Sequence, residues 1–189
     1  PFKYHFEDIE PGMSILTHKR TMTDSDIQNF ANLTWDVFYA HTDITSLKGS
    51  IFEKRAAHGY FILAAAAGLF VNPSKGPVGA NYGIDECRFI RPVYHNDTIQ
   101  VRLTCKEKID RDSKGKEVPS GVVKWYEEVF DQDGELVAMA TILTLVGKKC
   151  PFPDVSTKYI EEKKYSLLVP LQVSQRLAYK SNRHIISCL

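Results

Sequence analysis

The chain has 189 residues, of which 43% are hydrophobic and 25% are charged, and its formal net charge is +1. This length fits one domain with a single core, and the nearly balanced charge excludes strong electrostatic attraction to nucleic acid or to an acidic membrane. The longest apolar run, over residues 60–71, is too short to cross a bilayer, so a soluble protein without a membrane partner is expected.

The four cysteines bear on redox state and metal binding. Cys87, Cys105, Cys150 and Cys188 form no CxxC pair and show no metal-like spacing with histidine. They are therefore predicted to be free thiols in a reducing compartment, which indicates a cytoplasmic protein. Because the chain begins with Pro1 rather than Met, it is interpreted as trimmed or as an excised domain.

The first elements in chain order are a strand and a short helix. Loose alternation over Met13–Arg20 indicates a strand. Thr23 has the character of an N-cap and acidic residues follow it, which predicts a helix over Asp24–Asn32. A second short helix is expected to begin near Asp43. Its apolar stripe would consist of Ile44, Leu47 and Ile51.

Between these two helices, Asp36 and His41 stand five residues apart in an apolar and aromatic run. Five is not a helical spacing, so the two side chains can meet only if the backbone turns between them. An imidazole titrates close to neutrality and a carboxylate can orient it or take a proton, so the two could activate a water molecule. The alternative, that Asp36 caps a turn and His41 lies on the surface, stays open on this window alone.

Residues 60–71 give the strongest helix signal. The run is apolar all round, which predicts a helix that is buried on every side, and Asn72-Pro73 would end it. Gly59 precedes this helix. A glycine there would let a substrate approach the free backbone N–H groups, although an ordinary N-terminal glycine is an equally good interpretation on local grounds.

Strand patterns follow the helix, over residues 79–93, 98–106, 122–131 and 135–147. Residues 110–121 and Asp133-Gly134 are typical of hairpin connections. A long buried helix followed by an antiparallel meander predicts an α+β fold with a sheet wrapped over one central helix. One face of the last strand would carry Val137, Met139, Thr141, Leu143 and Leu145. Residues 151–189 show no period, and we treat them as a C-terminal tail of unknown role.

Several short stretches carry a resemblance to a known family. They are Asp36-Val37-Phe38-Tyr39-Ala40-His41, Ala57-His58-Gly59-Tyr60-Phe61, Gly76-Pro77-Val78, and Arg88-Phe89 with Pro92-Val93. Over residues 5–148 the sequence resembles the MaoC-like hydratases, whose usual run is Asp-x-Asn-Pro-x-His; the Asn-Pro is absent here. The aromatic residues between Asp36 and His41, Phe38 and Tyr39, are similar to those of one branch of the family. That branch is the oxepin-CoA hydratase domain of bifunctional ring-opening proteins of bacterial phenylacetate degradation.

The resemblance implies a hot-dog fold for residues 1–150 and the addition of water to an enoyl-CoA thioester. It implies that Asp36 and His41 hold and deprotonate the water, and that the Gly59 N–H holds the thioester oxygen. No metal and no cofactor would be needed, since CoA is part of the substrate. Further substrate contacts are expected from Tyr39, His58, Tyr60, Arg88 and Arg91. The two arginines, together with Lys106, would face the adenosine diphosphate end of CoA.

The resemblance also bears on partners and on alternative functions. A single hot-dog sheet leaves exposed edges, so a homodimer or a higher homo-oligomer is expected. The aldehyde dehydrogenase half of the bifunctional proteins is missing, so a separate aldehyde dehydrogenase would act downstream. A hot-dog acyl-CoA thioesterase and a non-catalytic acyl-CoA-binding domain remain the alternatives at this stage.

Overall fold

The computed structural model describes residues 2–111 and 119–149, and the predicted C-terminal tail lies outside this range, as do Cys150 and Cys188. Two short 3₁₀ helices cover Phe6–Asp8 and Ile44–Leu47. The helices are α1 (Asp24–Thr34), α2 (Tyr39–Thr42) and α3 (Gly59–Phe70). The strands are β1 (Ser14–Leu16), β2 (Arg20–Thr21), β3 (Val78–Phe89), β4 (Thr98–Asp110), β5 (Ser120–Phe130) and β6 (Leu136–Gly147).

The strands form one six-stranded antiparallel sheet in the order β1-β4-β5-β6-β3, with β2 also paired to β4. The predicted meander is present in β4, β5 and β6. By contrast, β3 crosses over and pairs with β6, which places it at the edge of the sheet. The predicted single strand over residues 13–20 is two short strands, because the chain leaves the sheet between Leu16 and Arg20.

Helix α1 shows how the chain is brought to Asp36. Thr23 and Asp26 form a capping box, in which the Asp26 N–H donates to the Thr23 hydroxyl oxygen at 3.1 Å. The helix runs two residues further than predicted and ends at Trp35, whose φ of 63° is left-handed. A left-handed residue at a helix C-terminus reverses the chain direction, and here it does so one residue before Asp36.

Helix α3 packs on the inner face of the sheet as predicted, but only one of its sides is buried. Phe61, Ile62, Ala65, Ala66 and Leu69 form that side. The opposite side carries the exposed Tyr60, Ala64 and Gly68, so the prediction of burial all round is wrong. The reason is that a single sheet layer covers one side of the helix, and no second layer is present among the described residues.

A smaller prediction about packing also needs correction. Of the stripe expected in the second short helix, Leu47 is buried whereas Ile44 and Ile51 are exposed, because the segment is a single 3₁₀ turn. In β6 the core contains Val137 of the predicted face and also Ala138, Ala140, Ile142 and Val146. The described helices are all too short or too polar to cross a membrane.

Candidate active site

Asp36 and His41 meet at a turn between α1 and α2. The turn is closed by the Val37 N–H, which donates to Trp35 O at 3.0 Å, and by the His41 N–H, which donates to Phe38 O at 2.9 Å. One carboxylate oxygen of Asp36 and one ring nitrogen each of His41 and His58 lie within 4.8 Å of one another. The turn that the five-residue spacing requires is therefore present, and the acid and the imidazole face a common point.

A main-chain carbonyl determines the tautomer of His41. The Nδ1 atom lies 2.7 Å from Ala56 O. A carbonyl oxygen can only accept, so Nδ1 carries the proton and donates it to Ala56 O. The Nε2 atom is then left with a free lone pair. Nε2 is thus the nitrogen of His41 that is available to a ligand.

His58 lies behind the pair and is almost completely buried, with 1% of its surface exposed. Its Nε2 is 2.9 Å from the backbone oxygen of Asp36, so Nε2–H donates to that oxygen. Its ring stacks on His41 with centroids 3.8 Å apart and also contacts Phe30. Burial lowers the pKa of His58, and the neighbouring His41 lowers it further, although the bond to Asp36 O opposes this. A neutral His58 connects the Asp36 backbone to the ring of His41.

Gly59 is the first residue of α3, where backbone N–H groups have no partner within the helix. A Cβ atom at this position would lie 2.6 Å from the ring of Phe89, so this 47% exposed ring would have to shift. The close approach of β3 to the start of α3 therefore gives Gly59 a packing reason. The oxyanion role of its N–H stays a prediction.

The other residues predicted to bind substrate lie at different distances from this turn. Tyr39 begins α2 and packs on Phe38 at 4.5 Å between centroids. Tyr60 is 75% exposed and meets Phe89 edge to face.

Arg88 donates to Cys87 O and has no acidic partner among the residues that the structure describes. Two predicted cations are in ion pairs: Arg91 with Glu135 and Lys106 with Glu86.

The surface around Asp36 is apolar. Leu33 and Trp35 expose 82% and 86% of their side chains, and Val37 and Phe38 are also exposed. Contiguous exposed apolar residues of this kind mark a binding or subunit interface. Asp36 lies in the middle of this stretch and is itself exposed.

The three polar groups could hold either a water molecule or a divalent ion. Carboxylate oxygens and imidazole nitrogens are ordinary ligands for zinc, and three such ligands are the number found in catalytic zinc sites. A water needs only acceptors and donors at hydrogen-bonding distance. The geometry is compatible with both, and the experiment proposed below separates them.

Sequence reasoning missed a second feature, a cavity of about 450 Å³ that runs along the exposed side of α3 and contains Glu127. Glu127 belongs to β5 and is 1% exposed. Burial raises its pKa to about 7. The signal was available, because the two-residue period of β5 aligns Glu127 with the buried Trp125 and Val129.

The sequence is similar to proteins of one family. A profile described as MaoC like domain matches residues 7–125. Protein MaoC from Klebsiella aerogenes is 57% identical over 108 residues, which make up 57% of this chain and 32% of that protein. An (R)-specific enoyl-CoA hydratase from Rhodospirillum rubrum is 33% identical over 101 residues, or 53% of this chain and 69% of that protein. The chain thus spans about a third of the length of the Klebsiella protein.

Solved structures agree with the fold. A monoamine oxidase regulatory protein from Archaeoglobus superposes with a TM-score of 0.71 at 39% identity, covering 78% of this chain and 97% of that one. A Mycobacterium tuberculosis protein described as a double hot-dog fold gives a TM-score of 0.69 at 15% identity, covering 80% of this chain and 46% of that one. The described residues therefore form a hot-dog fold.

Proposed function

Because the chain belongs to the MaoC-like domain family, we propose that it adds water to the double bond of an enoyl-CoA thioester. The observation that carries the proposal is the meeting of Asp36 and His41, each of which has one polar atom within 4.8 Å of the other. Two atoms that bond to one water at 2.7–3.0 Å lie roughly 4.5–5 Å apart. The pair therefore fits around a single water.

In the proposed reaction, His41 is the group prepared to remove the proton from water. Its Nδ1–H is committed to Ala56 O, so Nε2 accepts. The Asp36 carboxylate accepts the second hydrogen of the water and stabilises the imidazolium that forms. The hydroxide adds to the β carbon, the electron pair moves to the thioester oxygen, and a proton returned from the pair reaches the α carbon on the same face.

The thioester oxygen gains negative charge as the hydroxide adds. The Gly59 N–H at the start of α3 is the donor that we assign to it, because a helix N-terminus favours negative charge. One such donor typically contributes about 2.7–4 kcal/mol in the transition state. Phe89, which touches Gly59, would exclude water from this donor.

For the substrate, we propose enoyl-CoA esters that include oxepin-CoA. Hydration of an oxepin ring creates a hemiacetal that collapses to an open-chain aldehyde, which an aldehyde dehydrogenase activity would then consume. The similarity to an (R)-specific enoyl-CoA hydratase supports an enoyl thioester as the substrate. The aromatic residues Phe38 and Tyr39 between Asp36 and His41 support the cyclic substrate. Arg88 is the cation that we assign to the adenosine diphosphate end of CoA, since Arg91 and Lys106 already have acidic partners.

We also propose that the working unit is a homodimer. The outer edge of β3 has no strand beyond it in the described sheet, and exposed apolar residues surround Asp36. An unpaired edge and an apolar patch together favour association with a second copy.

The test is a paired assay of the purified chain with enoyl-CoA esters and oxepin-CoA, before and after chelator treatment. We expect loss of the conjugated thioester absorbance without release of free CoA thiol, at a rate that the chelator does not change. Release of thiol would identify a thioesterase. If chelation abolished the activity and zinc restored it, the site would be a metal site rather than a pair of side chains that holds a water.

A further inference from the structure

The cavity beside α3 contains a buried acid that the reaction above does not use. Helix positions Leu63, Ala64, Ala67 and Gly68 form one wall of it. These positions come four to nine residues after Gly59, so the cavity lies roughly 6–14 Å along the helix axis from the proposed oxyanion donor. Its volume of about 450 Å³ is within the usual range of small-molecule pockets. An acyl group whose thioester is held at Gly59 and which extends along α3 would reach this cavity.

Glu127 faces this cavity from an apolar surrounding. Its neighbours across the sheet are Leu103 on β4 and Ala140 on β6, and along its own strand they are Trp125 and Val129. All four are buried. Within the described part of the chain, the Glu127 carboxyl has no hydrogen-bond or ion-pair partner, and desolvation accounts for its raised pKa. A buried polar group without a partner costs free energy, so its presence at a cavity wall indicates a ligand.

Burial among apolar groups raises the pKa of Glu127 to about 7, so its carboxyl group is mainly protonated below that pH. The titratable side chain that interacts with it is the Cys87 thiol of β3, whose pKa is raised first by burial and then by Glu127. The α3 residues of the cavity carry no titratable group, and the buried Thr144 already bonds with Trp125 and with Val123 O. A neutral carboxyl group can donate one hydrogen bond, which an all-carbon acyl chain cannot accept.

From this arrangement, and resting on the proposed function, we infer that Glu127 selects thioesters whose acyl group carries an ether or ketone oxygen, to which its carboxyl group donates a hydrogen bond. The Glu127 side chain contacts the acyl group and not the reacting double bond, so it determines specificity rather than the chemical step. Acyl groups with an oxygen several carbons beyond the double bond belong to this class, whereas simple fatty enoyl chains do not.

The test compares two matched ligands that differ by one oxygen: octenoyl-CoA and the same ester with a ketone at the seventh carbon. Their saturated counterparts, which cannot be hydrated, are used for binding by calorimetry. For the wild type we expect the ketone to be favoured about tenfold in both kcat/KM and Kd, as for one buried hydrogen bond. The preference should fall as the pH rises above about 7, because the carboxylate has no proton to donate.

Substitutions at position 127 test whether the Glu127 side chain causes the preference. Glu127→Met should abolish the preference without loss of melting temperature, and Glu127→Gln, which keeps a donor, should retain most of it. The neighbouring Glu128 faces the other side of β5 and pairs with Arg102, so Glu128→Gln is a matched control and should change nothing. A preference that persists in Glu127→Met, or one that is absent from the wild type, overturns the inference.

The two kinds of ligand separate this inference from the proposed function. Hydration of both esters at equal efficiency rejects the role of Glu127 and leaves the hydratase intact. Selective binding of the saturated ketone by a chain that hydrates neither ester rejects the hydratase and supports the role of Glu127. Failure to bind either saturated ester rejects both.

Discussion

The imidazole rings of His41 and His58 stack with their centroids 3.8 Å apart and their planes 28° apart. This contact joins a partly exposed residue to a fully buried one. His58 in turn holds the Asp36 backbone, so both members of the proposed pair are fixed by a side chain that belongs to the core.

The first prediction concerns the pair itself. Asp36→Asn and His41→Ala should each lower kcat by orders of magnitude while CoA-ester binding is nearly unchanged, because both groups act on the water rather than on the bound thioester. The double variant should be little worse than either single one. Turnover and melting temperature are measured on the same preparations.

A nearby aspartate provides the control for that experiment. Asp43 caps the 3₁₀ helix that follows, accepting from the Thr45 N–H. Asp43→Ala should therefore lower the melting temperature, because the cap is lost, and leave turnover per folded molecule unchanged. Full turnover in Asp36→Asn would falsify the proposed mechanism.

His58 should act by positioning. His58→Phe keeps an aromatic ring against His41 but removes the N–H that binds Asp36 O. We expect kcat to fall about tenfold to a hundredfold with a small change in KM, since a displaced carboxylate holds the water poorly. Phe30→Leu, which alters the other side of the His58 ring, is the comparison and should affect mainly stability. Equal kcat in His58→Phe and the wild type contradicts the positioning role.

Gly59 and Phe89 should show coupled effects. Gly59→Ala alone forces its Cβ into the Phe89 ring and should lower both the melting temperature and kcat. In the background of Phe89→Ala the same change should cost much less stability, because the opposing ring is gone. The backbone N–H is kept in every variant, so activity that returns with stability identifies packing as the cause. A stability cost that is equal in both backgrounds excludes the contact as its source.

Burial of Glu127 should make stability depend on pH. Its pKa is raised to about 7 in the folded protein, whereas unfolding restores the ordinary value of about 4.5. The folded chain thus binds more protons between these values, and its stability should fall as the pH rises from about 4.5 to 7 and then level off. The full contribution is roughly 3 kcal/mol. In urea unfolding curves, Glu127→Gln should lack this pH-dependent part of the free energy of unfolding. If the free energy of unfolding depended on pH identically in the two proteins, the contribution of Glu127 would be excluded.

Association should depend on the free edge of the sheet. We expect the wild type to sediment as a dimer at micromolar concentration, and Tyr82→Lys on β3 to weaken the dimer. Tyr82 is 55% exposed; Leu16 on β1, 62% exposed, lies at the opposite edge and gives the matched control Leu16→Lys. A monomeric wild type, or equal effects of the two variants, contradicts this interface.

The sequence predicted those parts of the molecule that depend on local pattern. The capped helix after Thr23 and the long apolar helix near residues 60–71 follow from spacing and residue type. The spacing of Asp36 and His41 left open whether their side chains meet. The position of β3 beside β6 could not be predicted in this way, because strand order is decided by pairings between residues 49 to 68 apart in the chain. The roles of Ala56 and Phe89 could not be predicted either, because each depends on a contact with a residue distant in the sequence.

The carbonyl that orients His41 belongs to the main chain of Ala56, and this has a consequence for how the site can evolve and be studied. Every amino acid supplies the same carbonyl, so no side-chain replacement at position 56 removes the acceptor. A saturation mutagenesis scan would register position 56 only through the packing of its buried methyl group. A side-chain substitution at position 56 therefore does not change which nitrogen of His41 carries the proton. Only a shift of the backbone, or an ester in place of the peptide bond, would change it.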